Sequence, residues 1–447
     1  MTRRPLGQEG FTLVELTVSL VAGLIVALGI VGLSRDATHT FHEEMRSSVA
    51  EANLRTAIDR LRADLSRAGY MSTGNVATDP LIAKLPGSGN PINPALAGLA
   101  RLTSIYLQQG GSAGVTPLSA TQDAPMNPDT LDIAGNMTST DQYEVSIIQP
   151  GGAGGCQQIF LDPQSPSMFR ILGLGANGGQ ELNNIFQPTA GGTGQFIVRL
   201  VDKTGRSQFL LTCGSVQPTG IAGGGTQPFI LIDPSTPVQM AAQTGTVGGL
   251  AGYGSGSLVN PVQIVRWQIM PASSEPLQYQ NSPLSGLPMT PTTVDLTKYD
   301  LVRSYVDGLT GNVVPGTTEV VAEYAVDLEF AFSVDTGLTN LQPLIQTFPF
   351  DSALNVPWAP DVTKSVVPNQ GAQRIRSVRV RLVTRAAEPD RTLNVPVPNA
   401  TPPFTYRYCV LPSGKCDPVN TAGVLQYARA RTVTAEVALS NQSRNFY

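Results

Sequence analysis

The chain opens on a short polar leader, MTRRPLGQEG, and then turns apolar: FTLVELTVSLVAGLIVALGIVGL, residues 11–33, broken only by Glu15 near its start. About 23 such residues are enough to cross a bilayer as a helix at 1.5 Å per residue. Arg3 and Arg4 in the leader favour a cytoplasmic N-terminus, which places the remainder outside. After Leu33 the pattern becomes amphipathic. Phe41, Met45 and Val49 recur at helical spacing, followed by Leu54, Ile58, Leu61, Leu65 and Ala68. The charged residues between them, among them Arg55, Asp59, Arg62, Asp64 and Arg67, are assigned to the opposite face. Gly69 is a suitable stop. One helix over residues 11–68 would be roughly 87 Å long, weakened in its first half by Gly23, Gly29 and Gly32.

Period-two patterns take over further on. DQYEVSIIQ, QQIFLD, QFIVRLVD and RSQFLLTCG read as strands among Gly- and Pro-rich loops, and VDKTGR as a hairpin turn with Gly205 free to take positive φ. From about residue 261 the strands lengthen: VQIVRWQIM, TEVVAEYAVDLEFAFSV, IRSVRVRLVTR and RTVTAEVAL. In the third, Val378, Val380 and Leu382 share one face while Arg379 and Arg381 share the other. That is the half-buried pattern of an antiparallel sheet.

Composition narrows the classes. A length of 447 residues predicts two or three structural units. Charged residues make up 14% of the chain and the net charge is -4, so nothing points to nucleic acid as a partner. The four cysteines, Cys156, Cys213, Cys409 and Cys416, suit two disulfides in an exported chain. Cys409 and Cys416 bracket the turn VLPSGK, which favours a local bond and leaves Cys156 with Cys213, although three pairings are formally possible.

The start of the chain resembles the class III signal of type IV pilins and pseudopilins. Gly10 is followed directly by Phe11, Thr12, Leu13, Val14 and Glu15, and the apolar run follows the cut instead of preceding it. A conventional secretory signal has a shorter apolar core and a small-residue cleavage site after it, which SRDATHTFHEE does not offer. The resemblance implies cleavage after Gly10 by a prepilin peptidase, N-methylation of Phe11, and docking through Glu15, whose carboxylate pairs with the N-terminal amine of a neighbouring subunit. One departure is acidic Glu9, where many relatives carry a basic residue.

The later blocks RAGY, IVRWQI, YDLVR, VDLEFAF, IRSVRVRLVTRA and VTAEVALSNQSRNF, in that order, are similar to PilW-type minor pilins and to the related pseudopilin J of type II secretion. The resemblance implies an α+β, pilin-like lollipop: a long N-terminal helix, transmembrane and then amphipathic, packed on a β-rich antiparallel-sheet head with a large Gly/Pro-rich insertion. The expected parts are a leader at 1–10, a transmembrane and assembly helix at 11–33 and an amphipathic stalk at 34–69. A loop-heavy inserted region at 70–260 and a C-terminal antiparallel β module at 261–447 follow. The implied role is a structural minor pilin that helps prime pilus assembly and sits at or near the tip. It would support motility and adhesion, starting in the bacterial inner membrane with a periplasmic head and ending in the extracellular pilus. The alternatives are a type II secretion pseudopilin or a surface binding module. Implied partners are other minor pilins, the major pilin, the inner-membrane assembly platform and the prepilin peptidase, with a large tip adhesin as a further candidate.

Catalytic constellations are absent from the pattern. GLGANGG, which follows the strand-like MFRIL, contains a G-x-G-x-x-G, but QELNNIFQPTAGG after it is too short and Pro-broken for a dinucleotide helix, so a loop is expected. His39 and His42, the only histidines, lie beside Glu43 and Glu44 with no third ligand suggested, and a solvated helix face is expected. Neither a triad nor a paired acid and base can be assembled. The sequence supports no enzyme, cofactor or metal.

Overall fold

The computed structural model describes residues 12–83, 96–110, 128–149, 151, 153–188, 194–214, 216–222, 227–236, 253–274, 298–337, 343–348, 350, 361–364, 370–387, 407–409 and 427–442. At 39, 42, 43, 46, 47, 49, 50, 176, 273, 361, 407–409, 427 and 429 only the backbone is described. The protein is α+β, with an apolar N-terminal helix and a large antiparallel sheet. It divides into two compact units, residues 1–52 and residues 53–447.

The described part of the first unit is helical. The N-terminal helix Leu13–Ser66 supplies it with residues 13–52 and supplies the second unit with residues 53–66. Within the second unit Leu54, Ala57, Ile58, Leu61, Leu65 and Ala68 are buried at three- and four-residue intervals, as an amphipathic helix on a sheet requires. The helix stops where the sequence places the stop. Gly69 has φ +71°, its N–H donates to Ala134 O at 2.8 Å, and Asn441 Nδ2 donates to the Ser66 carbonyl at 2.8 Å. Gly135 lets this end sit close, because a Cβ there would lie 2.2 Å from Arg67 O.

The head is built on sixteen described strands. In chain order they are β1 (Ile105–Gln108), β2 (Thr130–Gly135), β3 (Tyr143–Gln149), β4 (Gln157–Leu161), β5 (Ile197–Val201), β6 (Ser207–Leu211), β7 (Thr219–Ala222) and β8 (Gln227–Ile232). Next come β9 (Leu258–Pro271), β10 (Tyr299–Val306), β11 (Glu319–Ala322), β12 (Ala325–Asp335), β13 (Ile345–Thr347), β14 (Ile375–Arg385), β15 (Arg407–Cys409) and β16 (Tyr427–Ala438). Their ladders are all antiparallel. The hub of the eleven-stranded sheet is β9, which pairs with β3 and β5 through its first residues and with β2 and β10 through its later ones. Residue 260 therefore falls inside β9, whose partners come from both sides of that position. The second sheet runs β13-β12-β14-β16-β15. Helix residues 54–68, Val265, Trp267 and Ile269 of β9, and inward residues of β12 and β14 share one apolar core.

Four local expectations change. Asp64, assigned to the polar face, is 7% exposed and faces the sheet. Its Oδ2 accepts Trp267 Nε1–H at 3.0 Å and Arg303 Nε–H at 2.7 Å, and Trp267 stands directly opposite Arg303 in the β9–β10 register. The run TEVVAEYAVDLEFAFSV is two strands in two different sheets, β11 and β12. Tyr324 between them takes φ +56°, and its N–H donates to Asp300 Oδ1 at 2.8 Å. The strand-like MFRIL is the helix Pro166–Leu172, with Pro at its first position and Met168 and Ile171 buried three residues apart. On β14 the face bearing Arg379 and Arg381 is not open to water, since Arg381 is buried beneath carboxylates and the Phe350 ring.

The buried Asp64–Arg303 pair generates a prediction. Asp64→Ala leaves the guanidinium and the indole N–H without their acceptor. The head should lose about 3–5 kcal/mol, read as a lower midpoint in chemical denaturation of the full chain in detergent. A midpoint within error of the parent would mean that the pair is dispensable.

Candidate functional site

Leu13–Thr38 is long and apolar enough to cross a membrane. Its large side chains are exposed all round the helix, from 56% at Val21 to 80% at Leu13. An amphipathic surface helix would show a polar face; one that is apolar on every side needs an apolar medium or apolar neighbours. Gly23, Gly29 and Gly32 have open space around them, and a Cβ at any of them would meet nothing within 4 Å. They leave small notches in an otherwise bulky surface.

Glu15 lies in the first turn of this helix. Its Oε2 accepts the Thr12 N–H at 3.1 Å and the Thr12 hydroxyl at 2.9 Å, while the Glu15 N–H donates to Thr12 Oγ1 at 3.3 Å. This reciprocal arrangement is a capping box. Each residue satisfies a backbone N–H that the helix start would leave without an intrahelical acceptor. T-x-x-E ahead of an apolar run is the sequence signal for such a box, a role for Thr12 that the resemblance to pilins does not imply. The hydrogen bonds supply geometry and no charge, and among the described residues no cation pairs with Glu15.

Other candidate residues are placed as follows. Gly10 and Phe11 lie outside the described residues. Cys156 and Cys213 are joined by a disulfide with Cα atoms 6.3 Å apart, both buried beside Leu231. The expected pairing of Cys409 with Cys416 lies outside the described residues; the Cys409 backbone pairs with Tyr427 in the β15–β16 ladder. His39 and His42 have helical backbone, and their side chains are not described. Among the described residues no group of three or more His, Cys, Asp or Glu could hold a metal. The glycine-rich segment 173–179, read as a loop, passes through a short 3-10 turn, Gly175–Asn177, into the helix Gly178–Phe186. Leu182 and Phe186 of that helix pack into the core formed with β3 and β8.

No family model matches the chain, and neither a curated protein nor a solved structure does.

The disulfide closes a 57-residue separation between the segments leading into β4 and out of β6. Removing it with Cys156→Ser and Cys213→Ser together should cost about 2–4 kcal/mol, measured by denaturant unfolding of oxidised parent against the double variant. Equal midpoints would show that the bond adds nothing to the folded head.

Proposed function

We propose that the chain is a structural minor pilin of a type IV pilus. It inserts in the inner membrane through Leu13–Thr38, is cut after Gly10, and joins other minor pilins in the complex that primes pilus growth and remains at the tip. The observation that carries this reading is the acidic Glu15 at the start of a membrane-length helix exposed on every side, directly after the Gly10–Phe11 junction.

Cutting there creates an α-amine on Phe11, with an ordinary pKa near about 8. A positive group on one subunit and Glu15 on its neighbour each offset the other's desolvation in lipid or in a packed filament. Only one axial stagger satisfies both, so the pair also sets register. The capping box holds the carboxylate at the helix start until that partner arrives. Each large side chain of residues 13–33 that becomes fully buried against neighbouring helices adds about 1.5–3 kcal/mol. The partners are other minor pilins, the major pilin and the assembly platform, with a tip adhesin as a further candidate. A type II secretion pseudopilin is the nearest rival; the long stretch 70–260 favours the pilus. Loss of pili on deletion with secretion intact separates the two.

The direct test is the N-terminal mass of the protein from its native envelope, with and without the prepilin peptidase. An N-methylated Phe11 terminus that disappears with the peptidase is expected. A terminus at Met1 in both samples would overturn the reading. Glu15→Gln then divides charge from cap, because Gln also completes the capping box. The variant should insert at the parent level, yet incorporate into pili about 100-fold less well, as expected for an amine left without its partner. Parental incorporation of Glu15→Gln, with loss only in Glu15→Ala, would reduce Glu15 to a helix cap.

A further inference from the structure

Asp129 stands immediately before β2 of the larger sheet, at the outer edge of β12 of the smaller one. It behaves there like a one-residue strand. Its backbone N–H donates to Leu328 O at 2.7 Å, and its Oδ2 takes the place of a carbonyl by accepting the Phe330 N–H at 3.1 Å. Its Oδ1 accepts the Gly110 N–H from the segment after β1 at 3.1 Å. Side chain and backbone together stitch the two sheets at one point.

Carboxyl groups crowd this stitch. Asp327 and Glu329, two apart on β12, both approach the guanidinium of Arg381 on β14, Asp327 at 3.6 Å and Glu329 in closer contact. Asp129 is the third carboxyl in the group, and when ionised it repels, and is repelled by, its neighbours Asp327 and Glu329. Asp327 and Arg381 are both nearly buried. Asp327 Oδ1 accepts no hydrogen bond and Arg381 Nε donates none among the described residues.

Among the described residues, the other charged groups on the surrounding elements are engaged elsewhere. Arg379 donates to Phe348 O and lies over the Phe350 ring. Lys364, on the turn against β1, lies over Tyr106. Asp132 of β2 is neutralised by Arg266. On β16 the residue opposite Arg381 is Thr434, and Glu436 accepts from Ser377.

The geometry points to a proton-operated joint: Asp129 and Asp327, crowded with Glu329 beside the Arg381 guanidinium, hold the two sheets together when protonated and release the outer edge of β12 when they ionise. Burial pushes Asp129 up to about 7 against the pull of the Phe330 and Gly110 N–H groups. Burial, reinforced by the Glu329 charge, pushes Asp327 up to about 8. Both folded values exceed the unfolded one. The stabilisation is therefore complete in acid and is lost as pH rises toward about 8, the reverse of an ordinary salt-bridged carboxylate.

The test is hydrogen exchange of the full chain in detergent, following the Asp129 and Phe330 amides against β9 amides as an internal reference. After correction for intrinsic exchange, opening at these two amides should rise about 10- to 100-fold from about pH 5.5 to about pH 8.5, with β9 unchanged. Asp129→Asn and Asp327→Asn should each flatten that rise. Asp327→Asn leaves every hydrogen bond of the stitch in place, so it serves if the first variant does not fold. A pH-independent parent, or an undiminished rise in Asp327→Asn, would overturn the joint.

Discussion

Three residues far apart in the chain meet in the core: Asp64 near the helix end, Trp267 in β9 and Arg303 in β10. The rest of the head is arranged around that meeting. Apolar contacts alone would let the helix roll or slide by part of a turn, because Leu54, Leu61 and Leu65 fit many neighbours. A carboxylate that must receive an indole N–H and a guanidinium at once has one acceptable position. The two donors are fixed in turn, since Trp267 and Arg303 face each other across the β9–β10 ladder. The interaction's main effect is on uniqueness: an ion pair taken from water gains little net energy over an apolar substitute, but its misplacement is costly.

From that anchor the architecture follows through β9. A strand of fourteen residues with four partners is the longest of the described strands, and it gathers strands from before and after it in sequence. The smaller sheet reaches the same core through Leu328, Phe330, Val378 and Val380. Its polar face is also enclosed, which is why arginines there need carboxylates and aromatic rings as partners. The long-range pairing of β2 with β9, and of β12 with β14, makes the head a non-local fold that forms only once distant segments have met.

The helix and most of the strands were legible because their periods are long and regular. Leu54 to Ala68 keeps the 3.6-residue repeat, and SVRVRLVTR keeps a period of two. What escaped depends on tertiary partners. Asp64 adjoins the apolar stripe, and a charge there reads as solvated until Arg303 and Trp267 are known to lie across from it. The break at Tyr324 is invisible in a continuous β-rich run, because a positive φ at tyrosine is held only by the tertiary acceptor Asp300. MFRIL is short enough to be helix or strand, and Ser165–Pro166 before it was the deciding signal. Arg379 and Arg381 looked like a wet face because alternation reports a difference between two faces. It does not report what covers each of them.

Glu15 draws these scales together. Within a single chain its carboxylate is geometrically satisfied by Thr12, so its presence in an apolar run does not by itself demand a partner subunit. A neutral residue could cap the helix nearly as well: glutamine closes the same box, and the Thr12 side chain alone serves as an N-cap. The negative charge is thus surplus to capping, and a charge there is costly if the helix is in lipid. Under the proposed assembly, a cation arriving from elsewhere would offset a cost that local structure does not require. Cleavage after Gly10 would create such a cation in every copy of the chain, so each subunit would bring the charge that its neighbour's Glu15 needs. Capping then fixes where the carboxylate waits, and charge determines what it can accept.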